Sequence, residues 1–223
     1  MTSYSPTSTV AFSDMVDDLS PYIPGCPDPV IARTVRKVIS DMCQRAKVWH
    51  EDFAPITLVV GQVAYDMSPP VDYATCTDIT SGFTLIDGQK TVLSWEKLDT
   101  VKIRFPSWPE QTSGAPQYIT SATLGQMLLA PIPDVVGTLN LRGYLRPSLS
   151  ATVWDANIYD EFQRVIFHGV LYDLLLMKGR NWGDPKLAAV HGRQWTQLLA
   201  AARDRAQRGY NTDDLSVVMR PFA

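Results

Sequence analysis

Apolar residues recur along this chain with two different periods, and the change of period divides it. Phe12, Val16 and Leu19 are spaced i, i+4, i+7, which predicts a short amphipathic helix ending at Pro21. Prolines at 21, 24, 27 and 29 then exclude helix, because proline lacks the amide hydrogen and clashes with the preceding turn. Asp28 before Pro29 reads as an N-cap with proline at the first helical position. From there Ile31, Val35, Val38, Met42, Ala46 and Trp49 step by threes and fours, which predicts a helix over 28–49.

Beyond Pro55 the runs become short and the breakers frequent. Residues 56–60 and 63–67 flank a Gly-Gln pair and predict a hairpin. Further strand-like runs fall at 75–79, 83–86, 92–95, 100–105, 117–120, 126–130 and 138–144, with Asp87-Gly88 and Gly125 marking turns and 107–116 a loop. Nine of the sixteen prolines lie between Pro55 and Pro147, so long helices are not expected there.

The helical period returns with Ile158, Phe162, Val165, Ile166, Gly169, Tyr172 and Leu176, and Gly179 supplies a C-terminal stop. Asp184-Pro185 repeats the cap-plus-proline start, and Leu187, His191, Trp195, Leu198, Ala202 and Ala206 form the next stripe, up to Gly209. The short link 179–183 predicts antiparallel neighbours. The expected fold is therefore α+β: an antiparallel helical bundle of three main helices (28–49, 157–178, 184–209) plus a short N-terminal one, with an inserted β lobe and an extended C-terminal arm. By segment, 1–54 holds an N-terminal arm (to about residue 11) and the first bundle helix, 55–150 the β lobe, 151–209 the helical hairpin and 210–223 the arm.

Composition narrows the class. Of 223 residues, 45% are hydrophobic and 19% charged, too apolar for a disordered chain, and the net charge of −3 argues against a protein that coats nucleic acid. Cys26, Cys43 and Cys76 fit neither a zinc spacing nor a disulfide framework, which suits synthesis in a reducing cytoplasm. Residues 1–10 show no basic region followed by an apolar one, so no secretory signal is read there. The most apolar run, 165–177, is broken by His168 and Asp173 and is shorter than the ~20 residues a membrane span needs.

Motifs for chemistry are sparse. There is no Gly-x-Gly-x-x-Gly and no Gly-Lys-Ser/Thr, and 178–183 reads better as an interhelical loop than as a phosphate cradle. His50, His168 and His191 have no partner at metal-ligand spacing on their own helix, so no metal or other cofactor is expected, and His191 reads as a packing histidine. Cys43 reads as a small buried hydrophobe. The acid pairs 17–18, 51–52, 160–161 and 213–214 read as solvated faces, since adjacent helical residues do not face one another.

Charge is informative by position. The first 32 residues carry Asp14, Asp17, Asp18 and Asp28 and no base, whereas 178–209 carry seven bases against two acids. Arg193, Arg203, Arg205 and Arg208 belong to this basic strip. It is either a solvated face favoured near a helix C-terminus or a contact with an acidic surface of a partner or neighbouring copy. In the tail, Tyr210, Leu215, Val217, Val218, Met219 and Phe222 have no evident place in the bundle; they either dock on another chain or fold back.

Several blocks carry a resemblance. They are Pro24-Gly-Cys-Pro-Asp-Pro29, the run Cys43 to Asp52 containing Trp49, Pro55-Ile56, and Gly61-Gln-Val-Ala-Tyr65. Gly114-Ala-Pro-Gln-Tyr118, Leu128 to Pro133, His168-Gly-Val-Leu171 and Trp182-Gly-Asp-Pro185 follow in order. Together, over about 12–209, they resemble tailed-bacteriophage head-to-tail adaptor proteins, the connector subunits of the tail-tubular kind. The resemblance implies a non-enzymatic virion protein of the neck, made in the host cytoplasm. It implies a ring, typically of twelve subunits, between portal and tail and around the DNA exit channel, with the helices toward the portal and the β lobes toward the tail nozzle or next tail protein. The C-terminal segment would be an arm onto the portal, and the acidic N-terminal region a counterpart of the basic strip on a neighbouring subunit. The family pattern contains no catalytic residue. The alternative is a small tail-associated, cell-wall-degrading hydrolase, with a site between bundle and β lobe using His168 or His191 and a nearby acid.

Overall fold

The computed structural model describes residues 8–110, 113–123 and 125–209. In chain order the elements are β1 (Thr9–Ala11), α1 (Asp14–Leu19, prolonged by a 3-10 turn at Ser20–Tyr22), α2 (Asp28–Ala46), β2 (His50–Asp52), β3 (Ile56–Leu58) and β4 (Ala64–Asp66). They continue with β5 (Ala74–Ile86), β6 (Gln89–Trp95), α3 (Leu98–Arg104), β7 (Tyr118–Thr120), β8 (Gln126–Ala130) and β9 (Gly137–Pro147). Last come β10 (Val153–Asp155), α4 (Ala156–Leu175) and α5 (Pro185–Gln207).

Eight strands form one mixed sheet in the order β2–β9–β5–β6–β7–β8–β4, with β3 pairing β9 beside β2. Its pairs are antiparallel except β6 with β7. The two edges, β3 and β4, are joined by residues 59–63 alone, and the Gly61 amide donates to the Pro133 carbonyl at 2.9 Å. A sheet whose edges are tied so closely must curl, and it forms a half-barrel. Alternation along β9 shows which side is inside: Leu139, Leu141, Gly143, Leu145 and Pro147 are buried, while Arg142 is exposed. Asp87 and Gly88 take φ of 49° and 77°, the left-handed pair that matches a tight β5–β6 turn to strand twist.

The inner face of the sheet and the helices share one core. It runs from Leu58, Leu93, Ile119, Met127, Leu139 and Leu145 to Ile31, Ile39 and Met42 of α2 and Ile166, Val170 and Leu174 of α4. The other face of β7 and β8 carries Tyr118, Leu128 and Ala130, which pack with Val101, Phe105 and Trp108 in a separate cluster. Thus α3 lies outside the half-barrel, and the Trp108 indole donates to the Leu129 carbonyl at 2.9 Å. In the helical layer, α2 contacts α1, α4, α5 and β9, and α4 pairs extensively with α5. A β-carbon on Gly169 would lie 2.6 Å from Val38 and 2.7 Å from Trp195, so the absence of a side chain there permits α2, α4 and α5 to close.

This architecture corrects the expected fold class. The molecule has five α-helices among the described residues and a large curled mixed sheet; it is not an antiparallel helical bundle carrying a small β lobe. The error lies in strand connectivity. β9 bonds β2, β3 and β5, and β5 runs unbroken through 13 residues where the sequence reads as two short strands. Register shifts between Cys76 and Asp78 and between Ile79 and Ser81 disturb the alternation that would have joined them.

Local corrections have similar causes. The expected 56–67 hairpin does not exist, because β3 pairs β9 and β4 pairs β8. The expected strand at 100–105 is α3: Leu98, Val101 and Phe105 face the outer cluster at helical spacing, while Ile103 points to solvent. α2 ends at Ala46, since Lys47 turns left-handed at φ 57°, so Trp49 lies just before β2, buried and stacked on Tyr73, and not on the helical stripe. Its N-cap is Pro27, one residue before the expected Asp28. Residues 9–11, expected within an arm, form β1 against β10.

Candidate interaction surfaces

The charged residues singled out in the sequence occupy two separate helices. Asp14, Asp17 and Asp18 lie on α1, a one-and-a-half-turn helix held by buried Met15, Val16 and Leu19. Asp14 accepts from the Ala11 amide at 3.2 Å and from the Ser13 hydroxyl at 3.4 Å. Asp18 borders a groove of about 410 Å³ whose wall continues through Met15, Leu19, Tyr22, Arg164, Phe167 and His168. Burial raises the Tyr159 hydroxyl above its ordinary pKa, and the carboxylates of Asp18, Asp160 and Asp14 add to this, marking a negative region where α1 meets the start of α4.

Arg193, Arg203, Arg205 and Arg208 lie on or just past α5, which is long and shallowly seated: of its 23 residues, Ala188, Leu199 and Ala202 are buried. Asp184 starts it, its carboxylate accepting from the amides of Lys186 and Leu187 at 2.9 and 3.1 Å. Arg205 forms an ion pair with Glu161 of α4, so one base of the strip is engaged inside the subunit. Arg193 borders a second groove with Tyr172, Leu176 and Trp195. Arg203 and Arg208 are exposed. The structure gathers the acids on α1 and the bases on α5, and among the described residues no salt bridge joins Asp14, Asp17 or Asp18 to Arg193, Arg203 or Arg208. Tyr210, Leu215, Val217, Val218, Met219 and Phe222 lie outside the described residues.

Two clusters escaped the sequence reading. His168 of α4 and His191 of α5 meet at 2.9 Å between their Nδ1 atoms, one ring donating and the other accepting, with the Phe167 ring edge-on to both. Burial lowers both pKa values; for His168 the neighbouring His191 and Arg164 lower it further. Among the described residues no carboxylate or hydroxyl bonds either ring, so the pair is a seam between helices, and its chemistry is that of two neutral imidazoles. Spacing within one helix held no signal for it, since the partners are 23 residues apart.

The second cluster lies where β2 and β10 flank the start of α4. Burial pushes the Glu51 carboxyl up to about 7, and Asp155 and Asp52 raise it too, against lowering by Trp49 and Arg142. The Asp155 carboxylate, itself 1% exposed, caps α4 by accepting from Asn157 and Ile158 amides at 2.9 and 3.2 Å. Glu51, Asp155 and Glu161 line one groove with His50 and Trp49. Among the described residues no group of three or more His, Cys, Asp or Glu is placed to hold a metal ion, and no helix is long and apolar enough to cross a membrane.

Comparison with known proteins bears on what these surfaces serve. A family model described as SU10 adaptor protein matches residues 10–219. No curated protein matches the chain.

Proposed function

The chain belongs to the SU10 adaptor protein family, and from that membership we propose that it is a structural adaptor of a tailed-phage virion, placed at the neck between portal and tail. In this reading copies of the chain form a ring, of twelve subunits as the family resemblance implies, around the channel through which DNA leaves the head. Its role is attachment and closure, not catalysis. Residues 1–54 and 151–209 form the ring wall toward the portal, 55–150 face the tail nozzle or the next tail protein, and 210–223 reach onto the portal.

One observation carries the reading beyond family membership: acids and bases are segregated on α1 and α5. A head-to-tail ring needs two different, complementary surfaces on each subunit. Asp14, Asp17 and Asp18 supply one sign, and Arg193, Arg203 and Arg208 the other. Opposite potentials across such a contact fix register and speed encounter. A net charge near zero suits a conduit, because a strongly basic wall would bind phosphates and hold the genome.

The test is particle mass and symmetry of the full chain, alone and mixed with portal protein. Arg193→Glu with Arg203→Glu should abolish assembly, and adding Asp14→Lys with Asp17→Lys should restore it. Particles of wild-type mass from the arginine variant would count against the α1–α5 contact. Removal of 210–223 should leave a folded body that no longer joins the portal; unchanged attachment in a pull-down would refute the arm. The hydrolase reading gains nothing from the geometry of the described residues, in which His168 and His191 engage each other.

A further inference from the structure

The half-barrel leaves one slot open along its wall. β9 follows β5 from Ala74 to Leu85, whereas β6 pairs β5 only from Gly82 to Ile86. At Ser94, β6 turns from β5 to β7: Ser94 and Trp95 pair with Tyr118 and Ile119, and the Glu96 amide donates to the Ile119 carbonyl at 3.0 Å. Among the described residues, no strand therefore pairs β5 over residues 74–81 on the side that β6 has left. A cleft of about 290 Å³ follows this edge from Ala74 to Ile79, walled opposite by Met67, Pro69, Trp95, Ser121 and Gly125. Trp95 is 48% exposed.

What such an edge recognises is an extended backbone, because alternate residues of a strand aim their N–H and C=O groups to the same side. Folded proteins guard their free edges. Here the extra residues at the two register shifts, Thr77 and Thr80, turn their hydroxyls to β9 and donate to the Tyr144 and Arg142 carbonyls at 3.2 and 3.0 Å. An edge bent by bulges disfavours a chance strand from solution and leaves the advantage to one tethered nearby. The chain supplies such a strand. Its described residues end at 209, and Arg205, one turn earlier, is paired with Glu161. Glu161 shares a groove with Trp49, Trp49 stacks on Tyr73 with ring centroids 6.0 Å apart, and Tyr73 leads into Ala74. The end of α5 and the start of the slot are thus linked by a few side chains. Within 210–223, Leu215, Val217 and Met219 alternate with Ser216 and Val218, the period of a strand with one apolar face. From Gly209 to Leu215 an extended chain reaches about 20 Å, and 215–219 then cover about 17 Å, the length of the stretch from Ala74 to Ile79.

We propose that, in the unassembled chain, residues 215–219 add to the half-barrel as a strand along the free edge of β5, entering at Ala74 and running parallel to it. The occupant is the chain's own C-terminal segment, and its apolar face turns toward Met67, Ile79 and Trp95. The strand does not depend on the ring. It concerns the segment that reaches the portal in the reading above, and gives it a place on its own subunit until the portal takes it. Because pairing is intramolecular, it needs no partner in solution. A portal that binds only the released segment sees its affinity lowered by the fraction that is docked.

Hydrogen exchange on the full chain tests this. Amides within 74–81 should exchange about tenfold more slowly than in a chain ending at Gly209, as an edge about nine-tenths occupied requires. Leu215→Asp with Val217→Asp should bring their exchange to the rate of the shortened chain, and neither change touches the body formed by residues 8–209. Protection should survive dilution, since the strand belongs to the same molecule. Equal exchange in the full and shortened chains would overturn the proposal, and so would protection that fades on dilution, which would assign the edge to a second copy. A full chain that joins the portal through 210–223 but shows no protection of 74–81 when free would overturn the strand and leave the portal reading standing. Protection in a chain whose attachment survives removal of 210–223 would do the reverse.

Discussion

Gly169 tests the packing of the helical layer most directly. It sits inside α4, where alanine in place of glycine ordinarily gains about 1 kcal/mol of helix stability. Here the added β-carbon would lie 2.6 Å from Val38 Cγ1 and 2.7 Å from Trp195 Nε1. Favourable contact between carbon atoms lies near 3.5–4.0 Å, so both neighbours must retreat. Neither retreats freely. Val38 is buried and β-branched, with essentially one rotamer available on a helix. Trp195 is stacked on Tyr172 at 6.1 Å and covered by the Arg45 guanidinium at 4.9 Å. Overpacking of this kind costs about 1–3 kcal/mol, and a clash on two sides belongs at the upper end. Against the propensity gain, Gly169→Ala should lose about 1–2 kcal/mol. In a chain of this size that is a fall in Tm of about 2–8 °C, read by circular dichroism. Adding Val38→Ala should cost less in Gly169→Ala than in the wild type, by about 0.5 kcal/mol or more. A Gly169→Ala protein as stable as the parent, or one more stable by the bare propensity gain, would refute the close approach of α2, α4 and α5.

Three further outcomes follow from side chains on the same elements. Asp155→Ala removes the α4 cap and should cost about 1–2 kcal/mol in urea unfolding, whereas Asp155→Asn should recover most of it; equal losses would show that charge, not capping, matters there. Glu51 holds its proton up to about pH 7 in the fold but releases it near ~4.3 when unfolded, so its contribution is full below the unfolded value and is lost as pH rises toward 7. Glu51→Gln should therefore stabilise the protein at pH 8 relative to wild type and change little at pH 4; no gain at pH 8 would refute its burial. The His168–His191 pair has the opposite sign: both pKa values are lowered, so its contribution is present above ~6.5 and lost as pH falls through the folded values. Replacing both with glutamine should flatten the decline in stability between pH 6.5 and 5, and an unchanged decline would count against the pair.

The helices were legible because each signals itself locally. Asp184-Pro185 caps and starts α5 as its sequence predicts; of the expected stripes, Ile31, Val35, Val38, Met42 and Ala46 of α2 and Phe162, Val165, Ile166 and Gly169 of α4 are buried, whereas Leu176 is exposed. The sheet was not, because its order depends on partners far apart in sequence. Gly82 of β5 pairs with Leu141 of β9, a relation no run of neighbouring residues encodes. β1, β2 and β10 are three residues each, too short to show a period, and β2 is the polar run His-Glu-Asp. The charged helices could be found from composition by segment, but the histidine seam and the Glu51–Asp155 groove depend on the approach of separate elements. The α3 error shows the same limit: Val101 and Ile103 alternate as in a strand, and only the outer cluster over β7 and β8 decides that one is covered and the other bare.

That bareness fits a subunit whose surfaces await neighbours. α5 contributes 23 residues yet buries three, and its seating depends on specific tethers: the histidine pair, Trp195 against Tyr172, and Arg205 with Glu161. Leu187 and Val190 remain in solvent along it. Exposed Val135 and Val136 sit just before the Gly137 end of β9, whereas Arg146 near the other end donates to Ser40 of α2. The 11 residues of β9 span about 35 Å, so these valines stand well away from the Arg146–Ser40 contact with the helical layer. A partner that binds the folded form and not the unfolded chain stabilises it by mass action. Under the ring reading, each subunit therefore gains stability from its neighbours, and a shallow α5 is tolerable because assembly completes its burial. It follows that the isolated chain should lose α5 first on heating. Hydrogen exchange should then show α5 amides opening before those of α2 and β9, and the gap should narrow once the ring forms.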